Sequence, residues 1–282
     1  MFFYIPLLYY GGGNGCPDSY QEKKCNLAGC MQSFSVVIIC KDEADVIGNT
    51  LQSLQGITDD IVLYDNGSTD ATIEIAKQFN VNLHQGSWEG FGKTKMKAIA
   101  LAKYDWILSL DADEAIDKEL RQSLPGLQLS DKTTVYEIRF KNFLGNKQMK
   151  YGEWGGDKHI RLFNRNTVHW NDVPVHEQLI MPGGVVVKKL KGYVLHQTMK
   201  DVEDYRTKTV KYAMLSAEKY YRQGKKSSWF KLHIVPGFTF FNYYILKLGF
   251  LDGYEGYTCA RMTAWYTFLK YARLKELKDK SE

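Results

Sequence analysis

An acidic triplet follows an apolar run in the first half of the sequence. Asp111 and Asp113 come directly after residues 107–110, and alternate residues that leave a strand point to the same side. Two carboxylates held this close repel each other unless a cation lies between them. Mg²⁺ and Mn²⁺ prefer carboxylate oxygens and can also bind the oxygens of a diphosphate. The triplet therefore predicts a divalent metal site, although a solvated acidic turn before a helix, with Asp117 as its cap, is the plainer alternative.

A second acid, Asp65, closes the apolar run 61–64 and precedes a turn-forming Asn-Gly pair. A carboxylate in this position can accept hydrogen bonds from a nucleotide base or from a ribose hydroxyl. The same residues fit an ordinary turn in which Ser68 or Asp70 caps the next helix. The two interpretations are compatible, because Asp65 can bind a ligand while its neighbours cap.

Apolar runs alternate with amphipathic segments in the region that holds these acids. The pattern predicts strands at 34–40, 61–64 and 106–110, and helices at 45–54, 71–79 and 93–102. This rhythm implies a parallel sheet with helices on both faces. Because ligands bind beyond the carboxyl ends of such strands, the positions of Asp65 and Asp111 predict a site at that edge.

After residue 131 the alternation changes. Strands are predicted at 135–140, 158–163 and 185–194 without long helices between them, followed by helices at 201–222 and 253–274. Residues 229–250 between these helices are strongly apolar and aromatic, but Lys231, Pro236 and Lys247 interrupt them. These residues argue against a membrane span. The segment fits either a helix that lies at a membrane surface or one that packs on the rest of the chain.

Composition excludes global disorder, since 44% of the residues are hydrophobic and 24% are charged. From Lys200 onward the chain carries an excess of seven positive charges, which predicts an anionic partner. No nucleic-acid-binding motif is present, so a membrane surface is favoured and no nucleic acid is expected. Five cysteines without a paired framework indicate a reducing, cytoplasmic location.

Three segments together resemble glycosyltransferase family 2: residues 34–43, residues 64–70 and the acidic segment 110–114. Later segments resemble one branch of that family, the lipopolysaccharide-core β-glucosyltransferase type, and they are residues 159–163, 175–177, 192–196 and 250–256. The resemblance covers roughly residues 33–275. It implies a GT-A fold, which is an α/β fold with a mostly parallel, Rossmann-like sheet and helices on both faces, plus a C-terminal helical extension. It also implies a transfer that inverts configuration at the sugar.

The predicted organisation has three parts. Residues 1–30 are expected to form a poorly ordered N-terminal extension, with Met31 as a possible natural start. Residues 31–198 are expected to form the GT-A catalytic domain. Residues 199–282 are expected to form a helical extension that leans on a membrane.

The resemblance also implies roles for individual positions. Asp113 would be the principal metal ligand, with Asp111 and His196 as further metal ligands. The nucleotide-sugar would be bound by charged residues along the same edge: Lys41, Glu43, Asp65, Asp111, Lys93 and Arg161. For three of these residues a plainer interpretation stays open, since His196 fits a structural histidine, Arg161 fits an ion pair and Lys93 fits a solvated helical turn.

An inverting transfer needs one carboxylate that removes a proton from the acceptor hydroxyl. Glu177 matches the region that supplies this base in the family and lies in a polar loop, where functional residues concentrate. Asp172 and His176 are rival candidates. This chain has His-Glu where many relatives have Glu-Asp, so the three candidates stay open.

The function predicted from these observations is the transfer of a hexose, with glucose favoured, from a UDP-sugar. The acceptor would be a cell-envelope glycan or glycolipid such as a lipopolysaccharide core, and the cofactor would be Mg²⁺ or Mn²⁺. The enzyme would work in the cytoplasm at the inner face of the plasma membrane, through peripheral contact of its C-terminal region. The alternatives are sugar transfer to a polyprenyl phosphate and a catalytically degenerate nucleotide-binding scaffold.

Overall fold

The computed structural model describes residues 33–171 and 178–280. The expectation for residues 1–30 lies outside the described residues. So do the three candidate bases, Asp172, His176 and Glu177.

The strands begin and end close to the predicted positions in the first half of the chain. In chain order they are β1 (Ser35–Cys40), β2 (Ile61–Asp65), β3 (Asn82–Gln85), β4 (Trp106–Asp111), β5 (Glu114–Ile116), β6 (Thr134–Leu144), β7 (Lys147–Met149), β8 (Lys158–Asn164), β9 (His169–Trp170), β10 (Leu179–Ile180) and β11 (Val186–Met199). The helices are α1 (Ile47–Leu54), α2 (Thr72–Ala76), α3 (Phe91–Ala100), α4 (Lys118–Ser123), α5 (Val202–Arg222), α6 (Trp229–Phe241) and α7 (Tyr254–Asp279).

Strand β1 is buried on both faces, as its continuous apolar sequence predicts. Val36 and Ile38 belong to one hydrophobic cluster, whereas Val37 and Ile39 belong to a second cluster on the opposite face. This division follows from the two-residue period of a strand. The first cluster includes residues of α1, α2 and α4, and the second includes residues of α3. Helices therefore cover both faces of the sheet, which confirms the predicted fold class.

Nine of the described strands form one sheet in the order β3-β2-β1-β4-β8-β6-β11-β5, with β7 paired to β6. β2, β1 and β4 are parallel, as the alternation of strands and helices predicts. β3, which was not predicted, also runs parallel to its neighbour β2. β8 runs antiparallel to both β4 and β6, and β5 runs antiparallel to β11. The second half of the sheet is thus mixed, in keeping with the missing helical connections after residue 131.

This topology brings several strand ends to one edge. Because β8 is antiparallel to its two neighbours, β4 and β6 point the same way, and β11 is parallel to β6. One edge of the sheet therefore holds the amino-terminal half of β8 and the carboxyl ends of β1, β2, β4, β6 and β11. The candidate site lies at this edge.

Some local predictions were wrong. Helix α2 is shorter than predicted, and Ser68 does not cap it, because the Ser68 hydroxyl accepts a hydrogen bond from the Asp42 N–H instead. Asp70 accepts from the N–H of Thr72, the first helical residue. Residues 112–113 form a turn, and the next three residues form the short strand β5, which was not predicted because its partner β11 is distant in sequence. Asp117 caps α4 as predicted, accepting from the Leu120 N–H at 2.9 Å.

The C-terminal region consists of α5, α6 and α7, where α7 packs against both other helices. Helix α6 has no buried residue, although its sequence is strongly apolar. Within the described residues, no helix combines the length and apolar character that crossing a membrane requires. The boundary between residues 198 and 199 stays a prediction.

Candidate active site

Asp111, the last residue of β4, is held between two cations. Its carboxylate lies 2.9 Å from Lys95 Nζ and 3.1 Å from Arg161 Nη2. Burial opposes the charge, but Lys95 and Arg161 hold the pKa of the Asp111 carboxyl well below its usual range. The two cations therefore favour the ionised form of Asp111.

The guanidinium of Arg161 also donates to Glu114, a carboxylate that is almost fully buried. The second oxygen of Glu114 accepts from the backbone N–H of Asp111 at 3.0 Å. Burial, together with the charge of Asp111, raises the pKa of Glu114, while Arg161 opposes this shift. The sequence left two interpretations of Arg161 open, a ligand of the nucleotide-sugar and a member of an ion pair. The structure supports the ion pair, in which Arg161 contacts two acids, Asp111 and Glu114.

Asp113 faces His196 across the edge of the sheet. The antiparallel register of β5 and β11 places His196 opposite Glu114, and the Nε2 atom of His196 lies 3.4 Å from Asp113 Oδ2. Burial lowers the pKa of His196, but the carboxylates of Asp113, Glu114 and Asp111 outweigh it and raise that pKa above the ordinary value. Two predicted metal ligands, separated by 83 positions in the sequence, are thus neighbours in space.

Asn142 determines which nitrogen of His196 carries a proton. The Asn142 amide nitrogen donates to Trp154 O at 3.2 Å and to Asp157 Oδ2 at 3.1 Å, so its oxygen faces His196 Nδ1 at 2.9 Å. The network therefore assigns the proton to Nδ1. In the neutral ring Nε2 then presents a lone pair to the carboxylate of Asp113. Two acceptors this close require a second proton on the ring or a cation between them.

A divalent metal fits this pair of side chains. Carboxylate and imidazole are both established ligands of such ions, and the Nδ1–H···O=C bond of His196 is the support that a metal-binding histidine has. Within residues 33–171 and 178–280, however, no group of three or more His, Cys, Asp or Glu side chains is arranged to hold a metal ion. Asp111 is less available to a metal ion than predicted, because its carboxylate oxygens already bind Lys95 and Arg161.

The side chain of Asp65 holds the loop that follows β2 through hydrogen bonds. This side chain is fully buried, and its oxygens accept from the backbone N–H groups of Gly67 and Ser68 and from the amide of Gln85. These hydrogen bonds outweigh burial and lower the pKa of Asp65. Among the described residues, the neighbouring Asn66 Oδ1 is buried without a hydrogen-bond partner.

Glu43 lies in the loop after β1 and is electrostatically coupled to Asp113. Burial and the charge of Asp113 raise the pKa of Glu43 to about 7, while Lys208 and Lys200 oppose this shift. Its backbone N–H donates to Thr72 Oγ1 at 2.8 Å, which ties the loop to the start of α2. The structure therefore places Glu43 beside the Asp113 end of the site.

Two predicted nucleotide ligands are exposed lysines. Lys41 lies at the end of β1 and Lys93 in the first turn of α3, and both side chains face solvent. The buried lysine of α3 is Lys95, which contacts Asp111 and lies 4.6 Å above the ring of Trp170. The structure thus makes Lys95, rather than Lys93, the member of α3 that belongs to the acidic edge.

An open cleft of about 600 Å³ lies beside this cluster. Its walls include Lys95, Asp111, Arg161 and Trp170 together with apolar side chains such as Ile160 and Leu179. A cleft of this size can hold a small molecule. The site therefore combines a carboxylate edge, a histidine and a cavity next to them.

Comparison with known proteins identifies the family. The sequence profile described as glycosyl transferase family 2 matches residues 35–179, just over half of the chain. This chain belongs to glycosyltransferase family 2. The family predicted from the motifs is confirmed.

Relatives of this glycosyltransferase extend over most of its length. An uncharacterized glycosyltransferase of Rickettsia felis is 29% identical over 264 residues, which cover 89% of this chain and 93% of the relative. The lipopolysaccharide core biosynthesis glycosyltransferase LpsC of Rhizobium meliloti is 27% identical over 248 residues, 86% of this chain and 91% of LpsC. Among solved structures, TarS 1-349 of S. aureus in complex with UDP-GlcNAc is 15% identical, with a TM-score of 0.46, and the match covers 86% of this chain and 93% of the TarS 1-349 chain.

Sequence reasoning missed several residues of this glycosyltransferase's site. Glu114 was taken only as part of an acidic turn, and Asn142 and Trp170 were not singled out. Their roles depend on pairings between distant strands, for which a single sequence holds no direct signal. Lys95 was considered together with Lys93 and carried a further signal, because Thr94, Lys95, Ala98 and Ile99 form the buried stripe of α3.

Proposed function

We propose that this glycosyltransferase transfers a hexose from a UDP-sugar to a cell-envelope glycan or lipid-linked acceptor such as a lipopolysaccharide core, with glucose as the favoured hexose. The observation that carries the proposal is the meeting of Asp111, Asp113 and His196 at the edge where the parallel strands end. Sugar donors with a nucleoside diphosphate need this arrangement of acids and positive charge. The similarity to LpsC supports the class of acceptor.

The proposed donor site runs along the carboxyl ends of β1, β2 and β4. The uracil would lie near Asp65, where β2 ends, and the diphosphate near Asp113. Asp113 and His196 would hold a divalent ion, with Asp111 at its margin. The bound ion would supply the positive charge that a departing diphosphate needs.

The proposed base removes the proton from the acceptor hydroxyl as that oxygen attacks the sugar. Glu177 is the first candidate, with Asp172 and His176 as rivals, and the proposal rests on the sequence because these residues lie outside the described ranges. The charge of Asp111 is balanced by Lys95 and Arg161, so Asp111 accepts no proton and is not a candidate base.

Calorimetric titration with UDP, GDP and UDP-glucose, with and without Mn²⁺, tests the donor site. We expect Mn²⁺-dependent binding of the two uridine nucleotides and weaker binding of GDP. In the Asp113→Ala variant this binding should weaken at least about tenfold, because one of the two principal ligands of the ion is lost. The absence of nucleotide binding under every condition would instead support the scaffold alternative.

Asp105→Ala is the matched control. Asp105 precedes the same strand, β4, at its opposite end and binds Arg165 at 3.1 Å on the surface. We expect Asp105→Ala to bind UDP as the unchanged protein does. Equal losses in both variants would show a general effect of removing an acid, and the donor site would then have to be placed elsewhere.

We further propose that the C-terminal region contacts an anionic membrane surface on the cytoplasmic side. Helix α6 exposes large apolar side chains, with Trp229 at 70% and Phe238 at 61% of their full accessibility. Lys231 lies among these aromatics and Lys225, Lys226 and Lys247 flank the helix, while the region from Lys200 onward carries an excess of positive charge. Apolar side chains mixed with cations suit the headgroup layer of an anionic bilayer.

A further inference from the structure

An open groove of about 700 Å³ lies between α6 and α7 and shares no residue with the cleft beside the acidic edge. The two helices meet on either side of it. The ring centres of Phe240 and Tyr257 lie 5.8 Å apart, and Lys231 Nζ lies 5.8 Å from the centre of the Tyr271 ring. The helices therefore run antiparallel, and the groove follows the facing stripes between these two contacts.

Two residues of α6 that disfavour a helix line this groove. Pro236 has no N–H group for the helical hydrogen bond to Leu232 O, and Gly237 has no side chain. A Cβ added at Gly237 would meet nothing within 4 Å. On the facing helix, Ala264 presents only a methyl group. These residues weaken the helix and keep the groove open, a departure from local preference that is typical of a binding site.

The groove has mainly apolar walls. Phe240, Met262, Trp265 and Phe268 line it, and none of the described wall residues is an Asp or Glu. Every residue of α6 keeps some exposure, so the apolar side chains of this helix are only partly covered within the described chain. An apolar groove of this volume can hold a hydrocarbon chain.

Arg261 places a cation in the wall of this groove. Within the described ranges it forms no ion pair, and its guanidinium carbon lies 5.9 Å from the centre of the Tyr257 ring. The other ionisable wall residue is His233, whose ring centre lies 5.2 Å from that of Trp229. A guanidinium without a carboxylate partner is suited to a phosphate group, to which it can donate two parallel hydrogen bonds.

Three lysines of the same helical region also lack a carboxylate partner within the described part of the chain. Lys225, Lys231 and Lys270 each lie over a tyrosine ring instead, at 4.0 to 5.8 Å from its centre. Burial, together with the charge of Lys225, lowers the pKa of Lys270. The positive charge here is not balanced locally, and it favours an anionic ligand over a neutral or cationic one.

We propose that this groove binds one phospholipid molecule of an anionic membrane, with an acyl chain between α6 and α7 and the phosphate group at Arg261. The inference rests on the proposed membrane contact and goes beyond it. That contact uses outward side chains of α6 such as Trp229 and Phe238, whereas this site takes a single chain between two helices. Neither the sugar donor nor the sugar acceptor takes part in it.

Monomeric lysolipids, below their critical micelle concentration, test the site in the ¹⁵N-labelled full chain. Trp265 lines the groove, and the resonance absent from the Trp265→Phe variant assigns its indole N–H among the six tryptophans. The probes are lauroyl-lysophosphatidylglycerol, monolauroylglycerol, which has the chain without the phosphate, and glycerol phosphate, which has the phosphate without the chain. We expect a saturable shift at one lysophosphatidylglycerol per protein chain, about tenfold weaker binding of monolauroylglycerol, and no shift with glycerol phosphate.

Two variants separate the chain from the phosphate. Gly237→Leu places a side chain in the open groove and should abolish the shift with both lipids. Arg261→Gln should weaken the binding of lysophosphatidylglycerol about tenfold and leave that of monolauroylglycerol unchanged. The controls are Gly183→Leu, which also has open space around the added Cβ, and Arg222→Gln, which removes an exposed cation of α5. Neither position lines the groove, so both controls should bind as the unchanged protein does.

Equal affinities for the two lipids would overturn the assignment of the phosphate to Arg261. Normal lipid binding by Gly237→Leu would place the lipid outside the groove. A lipid-free dimer in size-exclusion chromatography that Gly237→Leu dissociates would assign the groove to a second copy of this chain instead. No response to lysolipid with retained vesicle binding would overturn this site alone, whereas the absence of both would overturn the membrane contact as well.

Discussion

Asp111 and Asp113 are two positions apart and yet have different surroundings. Asp111 is balanced by Lys95 and Arg161, while Asp113 faces an imidazole nitrogen that can share a cation with it. The sequence predicts one site in which Asp113 is the principal metal ligand and Asp111 a further one. In the structure the first acid anchors the cluster of charged side chains, and the second is available to a ligand.

Asn142 offers a test of this division. The Asn142→Ala variant loses the acceptor that holds Nδ1–H of His196, so the ring can rotate or change its protonated nitrogen. Removing such a support typically weakens metal binding 10–100-fold. We expect a loss of about tenfold in Mn²⁺-dependent UDP affinity, measured by calorimetry, with little change in metal-free binding.

Thr198→Val provides the comparison for Asn142. The Thr198 hydroxyl lies 3.2 Å from the same Asn142 oxygen and 3.3 Å from the backbone carbonyl of His196, so its removal leaves the Asn142–His196 ring contact in place. This variant should keep the affinity of the unchanged protein. Normal Mn²⁺-dependent binding in Asn142→Ala would contradict this account. His196 would then no longer be proposed as a metal ligand.

At the scale of elements, the contact between α4 and β11 holds the strand that carries His196. Asp117 accepts hydrogen bonds from Leu120 N–H in α4 and from Tyr193 N–H in β11. Gly192 makes this approach possible. Its φ is +88°, and an added Cβ would lie 2.2 Å from Leu120 N and 2.6 Å from Asp117 Oδ1.

The Gly192→Ala variant should therefore be strongly destabilised. A non-glycine residue at positive φ costs on the order of 1–3 kcal/mol, and the clash with the backbone of α4 adds to this. We expect the free energy of unfolding to fall by about 3 kcal/mol in urea denaturation. Gly183→Ala, which has open space around the added methyl group and no positive φ, should change it by less than about 0.5 kcal/mol. Equal stabilities of the two variants would contradict this account of the α4–β11 contact.

At the scale of the whole molecule, the exposed face of α6 is the main feature that the catalytic chemistry does not require. Co-sedimentation with vesicles tests its proposed contact with lipid. We expect binding to phosphatidylglycerol vesicles that weakens with added salt, and little binding to phosphatidylcholine, because lysines near an anionic surface contribute about 1 kcal/mol each. Replacing Trp229, Phe230 and Phe238 together by Ser should reduce binding at least about tenfold.

The Trp88→Ser variant controls for the loss of an exposed aromatic elsewhere, since Trp88 precedes α3 and lies far from α6 in the sequence. It should bind vesicles as the unchanged protein does. Equal binding by the triple variant, or no binding to either lipid by the unchanged protein, would exclude this surface as a membrane contact.

The sequence by itself determined the family, the three parallel strands β1, β2 and β4, and the edge at which the acids lie. These features depend on local patterns. Continuous apolar runs such as β1 indicate burial on both faces, and Asp65 and Asp111 directly follow such runs. The amphipathic stripes of α1 and α5 likewise placed their helices within a few residues.

Only the tertiary structure decided which side chains meet at that edge. The pairing of β11 with β5 brings His196 to Asp113, and the antiparallel insertion of β8 between β4 and β6 brings Arg161 to Asp111 and Glu114. A strand pattern shows which face is buried but not which partner lies beside it, since many registers bury the same residues. The partner is chosen by the packing of the whole sheet, and for that reason the roles of Asn142 and Trp170 emerged only from the folded chain.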